Sequence, residues 1–169
     1  MNDKNNTLDT ETRATSQDHH TLRLWLRLQA CSNLIQGQIR SRLRSQFDIT
    51  LPRYDLMAQL ERSPKGLRMG ELSKRMMVTG GNITGITDQL VAEGLVVREG
   101  NPEDRRAYIV KFTPQGHEAF AKMAIIYEKW VIEFFDGMKE MDRYQLHSLL
   151  ATLKAHMKTI SSAKSSPTV

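Results

Sequence analysis

The chain has 169 residues, with 24 Lys and Arg against 19 Asp and Glu, a net charge of +5 and a pI near 9.5. That is length enough for one domain or two small ones sharing a core, and the basic balance leans toward a polyanionic partner. One cysteine, Cys31, excludes an internal disulfide framework and fits a reducing compartment. No apolar run approaches the roughly 20 residues of a membrane span. The N-terminus carries Asp3, Asp9 and Glu11 and lacks the hydrophobic core of a secretory signal, so a cytoplasmic location is expected.

Residues 1–20 are polar and read as a mobile tail, as do residues 161–169. Leu24, Leu28, Cys31, Ile35, Ile39, Leu43 and Phe47 recur three or four apart and predict a helix from about Leu22 to Phe47. So long a stripe needs something to pack on, part of which a second copy of the chain would supply. Pro52 opens a short helix through Leu60, which Ser63-Pro64-Lys65-Gly66 breaks. A third helix, Met69 to Met77, buries Leu72 and Met76. Thr79-Gly80-Gly81 is read as a turn, and a fourth helix runs from Asn82 to Glu93 with Gly94 as its stop. Two short helices about a glycine-bearing turn form a helix-turn-helix.

Leu95 to Arg98 and Ala107 to Phe112 suit strands, and Gly100, Asn101 and Pro102 between them form turns. This predicts a two-stranded hairpin tipped by Glu103, Asp104, Arg105 and Arg106. Thr113-Pro114 resembles an N-cap followed by proline at the first helical position, so a fifth helix starts there and carries Phe120 to Phe135. The last helix is expected from Asp142, with Asp142 and Gln145 at capping-box spacing and Leu146 to Ile160 on its apolar face. Helices followed by a basic hairpin give a winged helix of the kind that grips DNA: mainly α with a small β-hairpin wing.

In the fourth helix Ile83, Ile86, Thr87, Leu90 and Val91 are expected inward, and Asn82, Thr84, Gly85, Asp88 and Gln89 outward. The outward set is small and hydrogen-bonding, suited to base edges in a major groove. Thr79 and Gly80, in the turn before this helix, are further candidate DNA contacts. Arg105 and Arg106, carried on a narrow ribbon, suit a minor groove, and Asp104 would orient them. Arg68, Lys74 and Arg75 border the helix-turn-helix and suit phosphates.

Here the chain resembles the MarR family of bacterial transcriptional regulators, over about residues 22–160. Asp104-x-Arg106, then Val110, Phe112-Thr113 and Gly116, matches the family pattern D-x-R…V-x-L-T-x-x-G, with Phe112 in place of the usual leucine. The helix-turn-helix from Met69 to Leu95 matches in length and apolar spacing. The resemblance implies a homodimer with intertwined first and last helices, bound to a near-palindromic operator, usually as a repressor. It divides the body into an N-terminal dimerisation helix at 21–50, a winged helix-turn-helix lobe at 51–113 and C-terminal dimerisation helices at 114–160. It places Asn82, Thr84 and Gly85 toward the major groove and Arg106 toward the minor groove. It further implies that a small ligand, often an aromatic acid or phenol, enters between the dimerisation helices and the lobe and changes the lobe spacing.

Trp25, Arg40, Arg44 and Tyr54 are candidate ligand contacts, because the first helix lines the family's cleft. The segments around Trp25 and Leu51 to Met57 are similar to the branch governing aromatic-acid breakdown, including CoA thioesters. Two alternatives stay open: redox sensing through Cys31, and a ligand-independent architectural protein that binds A·T-rich DNA broadly. Metal sensing through His117, His147 or His156 lacks a tight ligand spacing, so no metal or other cofactor is expected. No phosphate-cradling glycine loop, nucleophile elbow or zinc-protease motif points to an enzyme.

Overall fold

The computed structural model describes residues 20–101 and 104–163, and side chains except those of 101–107 and 162–163. The proposed tails and the hairpin tip at Glu103 therefore lie largely outside the described residues. His20 and residues 161–163, assigned to tails from the sequence, are helical.

The elements in chain order are α1 (His20–Phe47), α2 (Leu51–Glu61), β1 (Leu67–Arg68), α3 (Met69–Met76), α4 (Gly80–Ala92), β2 (Val96–Asn101), β3 (Asp104–Phe112), α5 (Pro114–Phe135) and α6 (Glu140–Ala163). The chain divides within α5 into two compact units, residues 1–127 and residues 128–169.

In the first unit, α1 is rich in Leu, Arg and Gln, which hold helix well. Its apolar stripe is only partly covered: Ile39 and Leu43 are buried, while Leu24 and Cys31 are exposed. The chain leaves α1 at Asp48, in the left-handed region at φ 49°, where aspartate is tolerated. Thr50 is the N-cap of α2 and Pro52 stands in its first turn, where a missing N–H costs nothing. Leu56, Met57 and Leu60 of α2 meet Leu72, Ile83 and Leu90 in a fully enclosed core. Gly66 has φ +84°, and a Cβ there would lie 2.6 Å from the Val110 carbonyl oxygen. Only glycine lets the chain press onto β3 at that point.

That approach makes a strand the sequence did not show. β1 pairs antiparallel with β3, Leu67 opposite Val110, so the sheet has three strands in the order β1-β3-β2. The hairpin runs from Val96 opposite Phe112 to Gly100 opposite Tyr108, with an irregularity at Gly100/Asn101 before Asn101 pairs with Asp104. Both strands are longer than expected. Arg105 and Arg106 consequently belong to β3 beside the turn rather than to a loop at its tip.

In the second unit, α6 begins at Glu140, two residues before the expected start. The Arg143 N–H already donates to the Lys139 carbonyl at 3.1 Å, so Asp142 lies inside the first turn and cannot be the N-cap. Its charge instead complements the positive end of the helix dipole. The Arg143 guanidinium donates to the carbonyls of Phe135 and Met138, both at 3.2 Å, closing the end of α5. The expected apolar face of α6 is exposed within the chain at Leu149, Leu150, Leu153, Met157 and Ile160.

Candidate nucleic-acid interface

The helix-turn-helix is built by local capping. Glu71 accepts the Arg68 N–H at 3.0 Å and starts α3. Met77 ends α3 in the left-handed region, at φ 54° and ψ 39°. The expected turn at Thr79-Gly80-Gly81 is in fact the start of α4: Thr79 is the N-cap, and its hydroxyl accepts the Asn82 N–H at 3.4 Å. One satisfied donor offsets the poor helix propensity of two glycines. At the far end, Gly94 has φ +69°. The Leu95 N–H donates to the Leu90 carbonyl and the Gly94 N–H to the Val91 carbonyl, both at 2.9 Å, which is a Schellman close.

Ile83, Thr87 and Leu90 of α4 are buried as expected, and Ile86 is half-buried. Val91, expected inward, is exposed. Asn82, Thr84, Gly85, Asp88 and Gln89 are all exposed on α4, together with Gly80 and Gly81. Side chains added at Gly80, Gly81 or Gly85 would meet nothing within 4 Å. The chain's own packing therefore does not require glycine at these places, and the surface there is low and open.

Asp88 is engaged rather than free. Arg98 of β2 pairs with it at 2.5 Å and also donates to the Thr84 carbonyl at 3.3 Å. Arg98, which sequence reasoning passed over as a strand residue, thus ties the wing to the exposed face of α4. Arg68 and Lys74 are exposed, and so is Arg75, whose guanidinium donates to the Ser63 hydroxyl at 3.0 Å. The side chains of Asp104, Arg105 and Arg106 lie outside the described residues. Their backbone places both arginines on the strand next to the turn.

The candidate ligand residues do not gather into one slot. Trp25 and Arg44 are 19 positions apart on one helix, about 28 Å at 1.5 Å per residue. Trp25 is 55% exposed, and Arg40 is exposed and donates to Gln36 at 3.3 Å. Tyr54 is buried, stacked on Tyr127 at 4.5 Å and tilted against Phe120 at 5.4 Å. Burial pushes its phenol well above the usual range, with Tyr127 and Asp55 adding to the effect.

A cavity of about 620 Å³ opens elsewhere in the first unit, against Phe47, Ile49, Arg53, Glu93, Leu95 and Met123. Arg53, unmarked as a site residue in the sequence, is buried at 9% exposure and ion-paired with Glu93. Its Nε is buried without a hydrogen-bond partner. Burial works against the Arg53 charge, while Asp48 supports it and Arg44 opposes it.

Among the described residues no cluster of His, Cys, Asp and Glu could hold a metal, and no helix is long and apolar enough to cross a membrane.

Two capped helices, an open polar face on the second and an attached β-hairpin define a winged helix-turn-helix protein of the DNA-binding class. Comparison with known proteins narrows this. A model described as MarR family matches residues 47–107. The chain is 30% identical over 95 residues to the uncharacterized HTH-type transcriptional regulator YkoM of Bacillus subtilis, covering 56% of this chain and 60% of that protein. A MarR family transcriptional regulator from Silicibacter pomeroyi superposes with a TM-score of 0.72 at 26% identity, covering 85% of this chain and 99% of that one. Sco3205 of Streptomyces coelicolor, solved in complex with DNA, shares the fold with a TM-score of 0.72 at 22% identity, over 82% of this chain and 88% of its own. The chain is thus similar to MarR family transcriptional regulators, in sequence over its helix-turn-helix and wing and in fold over most of its length.

Proposed function

We propose that the chain is a homodimeric, sequence-selective repressor, released from a near-palindromic operator by a small ligand. The observation that carries this reading is the exposed face of α4, where glycines that serve no internal packing sit among Asn82, Thr84 and Gln89. Low relief lets the helix enter a major groove, and the amides and hydroxyl can pair with base edges. Thr79 and Gly80 at the helix start, with Arg68, Lys74 and Arg75, take phosphates. Arg105 and Arg106 on β3 reach the minor groove. Asp88 acts through Arg98, fixing the wing against the reading helix. That Sco3205 was solved with DNA supports the same use of the fold.

Dimerisation would cover the apolar surface that each unit leaves open. In the first unit this is Leu22, Leu24, Trp25 and Leu34 of α1, and in the second the exposed face of α6. Residues 21–50 and 114–160 then form the dimerisation region and 51–113 the reading lobe. Two reading helices must sit about 34 Å apart to occupy successive major grooves. A ligand with higher affinity for another spacing weakens DNA binding by that differential affinity.

An anisotropy titration against the protein's own upstream intergenic DNA, with a shuffled duplex as control, tests this. Selectivity of about 10³ or more, with a steep salt dependence, is the expected result. Equal affinity for both duplexes would instead establish a broad architectural binder. Sedimentation should give twice the chain mass.

A further inference from the structure

Tyr108 is a large aromatic residue on β3 that stays outside the core. Val110, two positions nearer the lobe, is fully buried, whereas Tyr108 is 54% exposed. Residues two apart on a strand point to one face, and so do residues directly opposite across a pair. Val96, Arg98 and Gly100 of β2 therefore share a face with Phe112, Val110 and Tyr108 of β3. Arg98 shows where that face looks, because its guanidinium reaches Asp88 and the Thr84 carbonyl on α4. Tyr108 stands one step further out on the same face, about 7 Å along the strand.

Packing within the wing does not account for it. The residue opposite is Gly100, and an aromatic ring can serve a strand by covering such a glycine. Here a Cβ on Gly100 would meet nothing within 4 Å, so the ring stands clear of that spot. None of the described residues supplies Tyr108 with a ring or hydrogen-bond partner. Its surroundings point to DNA instead. With α4 in a major groove and the wing in the adjacent minor groove, the face that carries Arg98 looks onto the sugar–phosphate strand between them. Tyr108 lies between Arg98, which meets α4, and Arg106, two positions nearer the turn on β3.

We propose that Tyr108 is a DNA contact: its hydroxyl donates to a phosphate oxygen of the strand between the two grooves, and its ring lies against the adjoining deoxyribose. The contact rests on the DNA-reading function proposed above. On this face of the wing Tyr108 is the outermost polar side chain among the described residues, and Arg98, one step inward, is already engaged by Asp88. A hydroxyl bound to phosphate sets the register of the protein on the duplex and carries no sequence information. It is also neutral, so it releases no counterion, which separates its effect from that of a wing arginine.

The test is anisotropy with full-length protein on its own upstream intergenic DNA and on a shuffled duplex, comparing wild type with Tyr108→Phe, which keeps the ring and removes the hydroxyl. The variant should bind both duplexes about three- to tenfold more weakly. The slope of affinity against salt should not change, whereas Arg106→Ala should lower it by about 1. A second readout excludes a merely structural role. Single methylphosphonates, each replacing a charged phosphate oxygen by methyl, are walked along the footprinted site. At one phosphate beside the minor groove the replacement should cost wild type about threefold more than it costs Tyr108→Phe. Wild-type affinity in Tyr108→Phe, with operator selectivity intact, overturns the contact and leaves the repressor reading standing. A loss confined to the operator, or methylphosphonate losses identical in both proteins at every position, also overturns it. An equal loss on both duplexes, with no operator preference in wild type, supports the contact and removes the selective-repressor reading.

Discussion

Replacing Gly116 with alanine should destabilise the protein far more than its place in a helix suggests. Ala is the better helix former, so propensity alone predicts a gain of about 1 kcal/mol. The structure reverses the sign. A Cβ on Gly116 would overlap the Leu95 carbonyl oxygen and come within 2.6 Å of its carbon and 3.0 Å of its Cα. These are backbone atoms in the link from α4 to β2, and they cannot swing aside as a side chain could. The same carbonyl accepts the Thr113 N–H at 3.1 Å. The Thr113 hydroxyl donates to Gly94 at 2.7 Å and accepts the Gly116 N–H at 2.9 Å. Moving Leu95 strains this set. Overpacking costs about 1–3 kcal/mol, and one weakened buried hydrogen bond adds about 1 kcal/mol. Set against the propensity gain, Gly116→Ala should therefore lose about 1–3 kcal/mol in urea unfolding followed by circular dichroism. Thr113→Val should lose about 1–2 kcal/mol by removing the cap. The double variant should lose less than the sum, because both act on one junction. A Gly116→Ala protein within about 0.5 kcal/mol of wild type would refute the close approach.

Met77 occupies the left-handed region while 93% exposed, so Met77→Gly should raise stability by about 1 kcal/mol, read from the urea midpoint; a loss would show that its side chain has an unrecognised partner. Burial raises the pKa of Asp55 above 3.8, so the charged form opposes folding at neutral pH and the penalty fades as acid protonates it. Asp55→Asn should thus melt higher than wild type at pH 7, and the difference should vanish below the unfolded-state value of 3.8; an equal gain at both pH values would refute the assignment. Arg106→Ala should weaken operator binding by about 1–3 kcal/mol in anisotropy, and unchanged affinity would show that β3 does not reach DNA. Lys74→Glu should weaken operator and random duplexes about equally, whereas a shift in preference between them would refute a phosphate contact.

The helices were legible because their apolar spacing and punctuation are local. Gly94 after α4 and Thr113-Pro114 before α5 do in the structure what their residue types predict. The misreadings have equally local causes. Gly80-Gly81 resembles a turn until Thr79 is seen to cap α4. Asp142 resembles a cap until the Arg143 N–H is seen to bond Lys139. β1 has two residues and therefore no period to detect; its existence depends on Gly66 lying against β3. The α1 stripe shows which residues share a face, but not what covers it, and Leu24 and Cys31 are exposed. The ion pair between Arg53 and Glu93 spans 40 positions, beyond anything spacing can reveal.

The way α4 is held in place bears on regulation. Its N-terminus is fixed by the Thr79 hydroxyl and its C-terminus by the Gly94 turn, both from adjacent residues. Such caps travel with the helix and give a distant event no handle on it. Arg98 to Asp88 joins α4 to the wing at the surface, within the reading surface itself. The ion pair from Arg53 to Glu93 differs because it comes from α2 and ends in a cavity. A signal that must change how the reading surface is held, without unmaking its fold, has most leverage on a tie of that kind. Two charges in an ion pair can be parted without unwinding a helix, whereas the Schellman close beside them can be undone only by unwinding the helix end.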